Sequence, residues 1–274
     1  MNRWSRALLA SLFLVGVGSV SGCKKSDAAG EGARTLKVGV NPVPHGEILR
    51  VAVPVAERAG THVQVVEFTD YVQPNLALAD GQLDANYFQH VPYLERFSAD
   101  RKLTLVSVGA VHLEPLALYS TKHAQLAELP EGAKVTIPAD PSNAGRALRL
   151  LEQQGLLRLR DGVGAAATIQ DVVGNPRKLE LRELDAEQQP RTLEDVDAAV
   201  INGNYFLEAK KNLRLNAKTL AQESAKDNPY ANVLVVRKGD EARPEIQALV
   251  KALRSEEVRR FIEKTYEGAV VPAF

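Results

Sequence analysis

Short apolar segments alternate with helix-length amphipathic segments along most of the chain, and no other feature constrains the fold as much. Residues 36–40 (LKVGV) and 63–68 (VQVVEF) carry the β-branched density of strands. Between them Ile48, Ala52, Val55 and Ala59 recur at helical spacing, with Pro54 inside the pattern, which predicts a kink there or two shorter helices. Further strands are expected at 84–87, 104–108, 115–120, 134–137, 178–184, 198–201 and 231–237. Helices are expected from Pro74 to a stop at Gly81, over 91–99, after Asn143, from Pro244, and from Ser255 to about Tyr266. This order predicts an α/β fold with mixed, mostly parallel sheets, in which ligands bind outside the carboxyl ends of the strands.

The polar and aromatic residues gather at those ends. Aromatics make up only 5% of the chain, yet Tyr71, Tyr87, Phe88, His90 and Tyr93 fall within residues 68–93, interleaved with Asn75, Asn86 and Gln89. Rings beside amides suit a small amphipathic ligand, although rings of the core capped by surface amides fit the same composition. At 138–143 (PADPSN) a turn leads into a helix, with Ser142 or Asn143 as its N-cap and Arg146 in its first turn. Helix-start N–H groups and an arginine fork would grip a carboxylate; the alternative is a solvated helix arginine. Asn202-Gly203-Asn204-Tyr205 is a third polar group at a strand end, readable equally as a turn and cap, and Asn232 lies within the strand at 231–237.

Arg3 and Arg6 precede an apolar run over 7–17, and small residues lead to Cys23, the chain's one cysteine. This is the pattern of a signal peptide, too short for a stable spanning helix, with Cys23 as the candidate lipidation site; an ordinary secretory signal ending near a cysteine is the alternative. Residues 24–34 then form a polar tether. Lys plus Arg and Asp plus Glu number 34 each and are dispersed, so nothing favours nucleic acid as a partner. There is no nucleophile motif, phosphate loop or paired-cysteine spacing, and the five histidines are scattered along the sequence. Neither an enzyme, nor a cofactor, nor a metal is expected.

Six strings carry a resemblance: FTDYVQPNLAL, LDANYFQHVPYL, PADPSNAGRAL, LRDGVG, ELDAEQQPRTLEDVDAAVINGNY and ESAKDNPYANVLVVR. Together they span nearly all of 36–274, and the chain resembles the NlpA family, the methionine-binding lipoproteins of bacterial ABC importers. The resemblance implies a two-lobed periplasmic-binding-protein fold of type II, a ligand cleft between lobes, and an amino-acid ligand, chiefly methionine, delivered to a membrane permease. It implies that Tyr71, Phe88, His90 and Tyr93 surround the thioether, that Arg146 with Asn143 holds the α-carboxylate, and that Asn202, Asn232 and Asn204 hold the polar head. It further implies a monomer anchored at the cell envelope through Cys23. Residues 35–114 and 231–274 are expected to form one lobe and 115–230 the other, behind a signal peptide at 1–22 and a lipidated tether at 23–34. The chain departs from the family at Ala139, where members often carry Asn before the Asp-Pro pair. A methionine-containing dipeptide, another hydrophobic amino acid, or a non-transport role in adhesion are the competing readings.

Overall fold

The computed structural model describes residues 35–274; the signal peptide, Cys23 and the tether lie outside them. The first run comprises β1 (Leu36–Val40), α1 (Glu47–Arg58), β2 (Val63–Glu67), α2 (Gln73–Ala79), β3 (Ala85–His90), α3 (Val91–Arg101) and β4 (Leu105–Leu113). The second comprises β5 (Ala117–Ser120), β6 (Lys134–Pro138), α4 (Pro141–Gln153), β7 (Arg158–Leu159), β8 (Val172–Gly174), β9 (Glu180–Leu184), α5 (Gln189–Thr192), β10 (Ala198–Ile201), α6 (Gly203–Asn212) and β11 (Lys218–Gln222). The chain closes with β12 (Asn232–Arg237), α7 (Pro244–Leu253), α8 (Glu256–Tyr266) and β13 (Val271–Pro272).

These elements build two principal sheets, of order β13-β4-β12-β3-β1-β2 and β11-β5-β10-β6-β9. Both are mixed: β2–β1–β3 and β9–β6–β10 pair in parallel, while β4, β12 and β13 in one sheet and β5 and β11 in the other pair antiparallel. The late strand β12 lies between β3 and β4, so the last part of the chain occupies the middle of the first sheet.

Each sheet buries its own helices. The stripe Ile48, Leu49, Ala52 and Ala56 of α1 is wholly buried with Ile246 and Leu249 of α7 and Val258 and Ile262 of α8. Truncating a side chain such as Ile48 to Ala costs about 2–5 kcal/mol. In the second sheet Ala147, Leu148 and Leu151 of α4 pack with Val135, Ile137 and Val200.

Pro54 does not divide α1, which is continuous over Glu47–Arg58. The carbonyl that loses its partner belongs to Arg50, and Arg50 and Pro54 both lie on the exposed face, where water can take over. The irregular backbone comes earlier, at Pro42–Gly46, with a cis bond at Val43–Pro44. Strand β9 begins at Glu180, because Lys178 has left-handed backbone (φ 54°). Strand β3 extends to His90, so Phe88 and His90 sit on the strand and not beyond its end.

Candidate ligand-binding site

The two sheets face each other across a cavity with about 350 Å³ of empty space. Tyr71, Phe88, His90, Tyr93, Asn143, Arg146, Asn202, Asn204 and Asn232 all line it. The four aromatic and imidazole groups come from β3, α3 and the loop after β2; Asn143 and Arg146 come from α4; Asn202 and Asn204 flank the start of α6; Asn232 opens β12.

The rings form one wall. Tyr71 meets Phe88, Tyr93 and Tyr205 with centroids 6.0, 5.8 and 4.9 Å apart, and Tyr93 stacks on Phe97 at 5.7 Å. The Tyr93 hydroxyl donates to the Tyr71 carbonyl (2.8 Å), which fixes the loop that carries Tyr71. The Tyr71 hydroxyl donates to Asn204 Oδ1 and the Tyr205 hydroxyl to the Thr69 carbonyl (3.1 Å), so both tie one side of the cleft to the other. Tyr87 is buried but does not line the cavity; it turns inward, where its hydroxyl donates to His112 Nδ1.

The amide side is a connected network. Asn143 Oδ1 accepts from His90 Nε2 and from Asn202 Nδ2, each at 3.1 Å. His90 Nδ1 in turn accepts the Tyr93 N–H (3.2 Å). Burial, with Arg146 adding to it, holds the His90 imidazole down at about 3, so the ring is neutral at pH 7. Asn202 occupies the N-cap position of α6, yet its side chain caps nothing: it reaches Asn143 instead, and its Oδ1 is buried without a partner among the described residues. Asn204 Nδ2 is a second such atom. Buried polar atoms are ordinarily paired, so unpaired ones in a cavity wall mark places where a ligand's polar groups complete the set.

The helix start of α4 differs from the sequence expectation. Its N-cap is Asp140, whose carboxylate accepts the Asn143 N–H (2.9 Å) and both contacts from Asn143 Nδ2. Neither Ser142 nor Asn143 caps, and the protein's own carboxylate already occupies the anion-attracting position. With Asp140 making the turn's bonds, Ala139 contributes only its N–H, to the Leu184 carbonyl (2.9 Å). Arg146 lies in the second turn, 3% exposed. It is already gripped: Nε and Nη2 donate to Glu223 at 2.9 and 2.6 Å, and Nη2 also donates to the Glu114 carbonyl (3.0 Å). Tyr230 covers the guanidinium at 4.1 Å. Nη1 is left without a protein acceptor among the described residues, on a side chain that lines the cavity.

His45, Gln89, Glu114 and Gly203 complete the lining, and the sequence reading missed them as site residues, along with Glu223 and Tyr230 behind Arg146. The signal for Glu114 was present: one acidic residue in the apolar run 111–119 (VHLEPLALY). Histidines scattered in sequence also converge, since ligand atoms of His45, His112 and Glu114 lie within 4.8 Å of one another. Hydrogen bonds account for this cluster: His112 uses both nitrogens, on Tyr87 and on Glu114 Oε1 (2.7 Å), while His45 Nε2 donates to Asn232 Oδ1 (3.0 Å). A cation would have to break the His112–Glu114 bond.

The fold is that of periplasmic substrate-binding proteins: one of an ABC transporter from Coxiella burnetii superposes with a TM-score of 0.81 at 41% identity, covering 87% of this chain and 100% of that one. The solved structure of a nutrient-binding protein from Burkholderia cenocepacia bound to methionine superposes with a TM-score of 0.83 at 47% identity, covering 87% of this chain and 100% of that one. The family model described as NlpA lipoprotein matches residues 36–274, and the chain belongs to that family. It is 39% identical to the methionine-binding lipoprotein MetQ of Bacillus subtilis over 271 residues, 97% of this chain and 98% of the relative. It is also 40% identical to the D-methionine-binding lipoprotein MetQ of Escherichia coli over 268 residues, 97% of this chain and 94% of the relative.

Proposed function

We propose that the protein is the receptor of an ABC importer, binding methionine in the cavity and handing it to a membrane permease. The observation that carries this reading is the cavity wall itself: aromatic faces on one side, and an arginine with an open Nη1 on the other. The rings suit a polarizable thioether, and Arg146 suits a carboxylate. Asn143, Asn202, Asn204 and Asn232 supply the remaining polar contacts. In this reading residues 35–114 with 231–274 form one lobe and 115–230 the other. Ligand bridges them, which shifts an open–closed equilibrium toward closed. Cys23 is the lipid anchor that keeps a monomeric receptor at the envelope, and no reaction is catalysed.

The test is calorimetric titration of L-methionine, and separately D-methionine, into protein beginning at Lys24 that has been unfolded and refolded to strip retained ligand. One isomer is expected to bind with a 1:1 stoichiometry, and Arg146→Ala is expected to weaken it by roughly 100-fold or more. No heat with either isomer from folded, empty protein overturns the reading, and a panel of hydrophobic amino acids and methionine dipeptides then identifies the ligand.

A further inference from the structure

Strand β3 is irregular where it reaches the cavity. Tyr87 stands opposite Leu234 of β12 and Gln89 opposite Val233, so Phe88 is an extra residue on β3, a β-bulge. The bulge moves everything after it by one place. His90 therefore pairs with Asn232, the first residue of β12. Regular pairing continued from Tyr87 would set Gln89 opposite Asn232 and leave His90 beyond the end of β12. Two further contacts depend on where His90 stands. Its Nε2 reaches Asn143, and its Nδ1 caps α3 by accepting the Tyr93 N–H. The bulge thus places an imidazole and a tyrosine of the cavity wall together.

A closed ring of amides lies behind that wall. Asn75 Nδ2 of α2 donates to Gln89 Oε1 (2.9 Å), and Gln89 Nε2 donates to Asn75 Oδ1 (2.6 Å) and Asn86 Oδ1 (2.9 Å). Asn86 Nδ2 donates to Asn75 Oδ1 (2.8 Å) and to the Pro74 carbonyl (3.1 Å). All three side chains are buried, and none has a buried polar atom left over. Asn86 and Gln89 are three positions apart, so a regular strand would turn them to opposite faces. Only the bulge brings both to α2. In regular pairing the Gln89 amide would share the face of Tyr87, among the apolar side chains of α1 and α7, where an unpaired amide is costly. Gln89 also lines the cavity, yet its N–H groups and its carbonyl are already committed to the ring.

We infer that the buried Asn75–Asn86–Gln89 ring fixes the register of β3, and that these three amides are positioning residues for His90 and Tyr93. They act on a ligand through the strand and donate nothing to it. The consequence for affinity rests on the receptor reading above; the consequence for strand pairing does not.

The test replaces the ring by apolar groups of similar total volume, Asn75→Ala, Asn86→Val and Gln89→Met together, which removes the bonds without leaving a buried amide unpaired. A crystal structure reads the pairing of β3 with β12, thermal unfolding reads the stability of the ligand-free protein, and calorimetry reads methionine affinity. The expected result is a regular β3 with His90 no longer opposite Asn232, and an affinity lower by about tenfold or more at an unfolding temperature close to that of wild type. A bulge that persists overturns the inference, whatever happens to affinity, and leaves the ring a source of stability alone. Wild-type affinity from a strand that has slipped overturns the positioning role. Gln89→Met by itself is the milder variant should the triple substitution fail to fold, and the same register and affinity decide there. Failure of methionine to bind wild type is a different outcome: it removes the receptor reading, while the strand pairing still tests the ring.

Discussion

At the scale of single residues, the cleft is held by hydroxyls and amides whose partners lie on the opposite side. The Tyr71 hydroxyl spans it to Asn204 and the His90 ring spans it to Asn143. In the open–closed equilibrium proposed above such bonds would be lost on opening, and they would then favour the closed state without stabilising the open one. Tyr71→Phe removes one of them and leaves Asn204 Oδ1 buried without its donor, at a cost of about 1–2 kcal/mol. Ligand affinity is therefore expected to fall roughly tenfold with little change in the unfolding temperature of the ligand-free protein, as calorimetry of both processes will show. An equal fall in stability would mean that the bond persists when the cleft opens. Arg146 illustrates the complementary design. Glu223 takes Nε and Nη2, fixing the guanidinium plane before a ligand arrives, so less side-chain entropy is lost on binding.

At the scale of elements, α4, which carries Asn143 and Arg146, is pressed close against the backbone of residues 165–167. A Cβ on Gly145 would collide with the backbone carbonyl of Ala165, and the Ala167 carbonyl is 3.2 Å from the same point. Backbone cannot rotate away as a side chain can, so Gly145→Ala is expected to lower stability by about 2–3 kcal/mol and to shift α4 with its arginine. Gly155 sits just beyond the same helix in left-handed backbone (φ 69°) with open space around it, so Gly155→Ala costs only about 1 kcal/mol, all of it conformational. Thermal unfolding of the two variants separates packing from backbone preference.

The same helix shows how much of the molecule the sequence disclosed. Its stripe, its length and its closing glycine were legible, because helical periodicity and Gly preferences are local. The cap was misplaced by two or three residues, since Asp, Ser and Asn all satisfy the same preference and only the fold selects Asp140. The nine lining residues could be named because the family strings carried them. Glu114 left a trace, as one acidic residue in an apolar run, but His45 and Glu223 did not, because their roles depend on partners 77 to 187 positions away in sequence, Arg146 for Glu223 and Asn232 for His45. Pro54 misled for the opposite reason: the rule is about a lost bond, and solvent on that face supplies another.

At the scale of the whole molecule, the buried imidazoles set the response to acid. His45, His90 and His112 bind protons far less readily in the fold, at about 4, about 3 and about 3, than in an unfolded chain near 6.5. A depressed folded value means that their contribution is complete above pH 6.5 and is lost as the pH falls below it. With up to three protons taken up on unfolding, the slope approaches about 4 kcal/mol per pH unit near pH 5. Glu114 and Asp140, raised by burial, oppose this by taking up protons in the fold, and Arg146 beside them limits that opposition. The unfolding temperature is expected to drop steeply from pH 7 to pH 5. A flat profile would mean that water or a counter-charge reaches these rings in the folded protein.

The position of β12 governs the order in which the protein can be made. β3 and β4 are not neighbours; the strand between them is drawn from residues 232–237, after the whole second sheet has been synthesised. Until that strand leaves the ribosome, the half of the protein translated first has a gap at its centre and two exposed strand edges, and it cannot reach its native state. The first sheet therefore cannot close until residues 232–237 are made, whereas the second, drawn from residues 117–222, has all its strands before them.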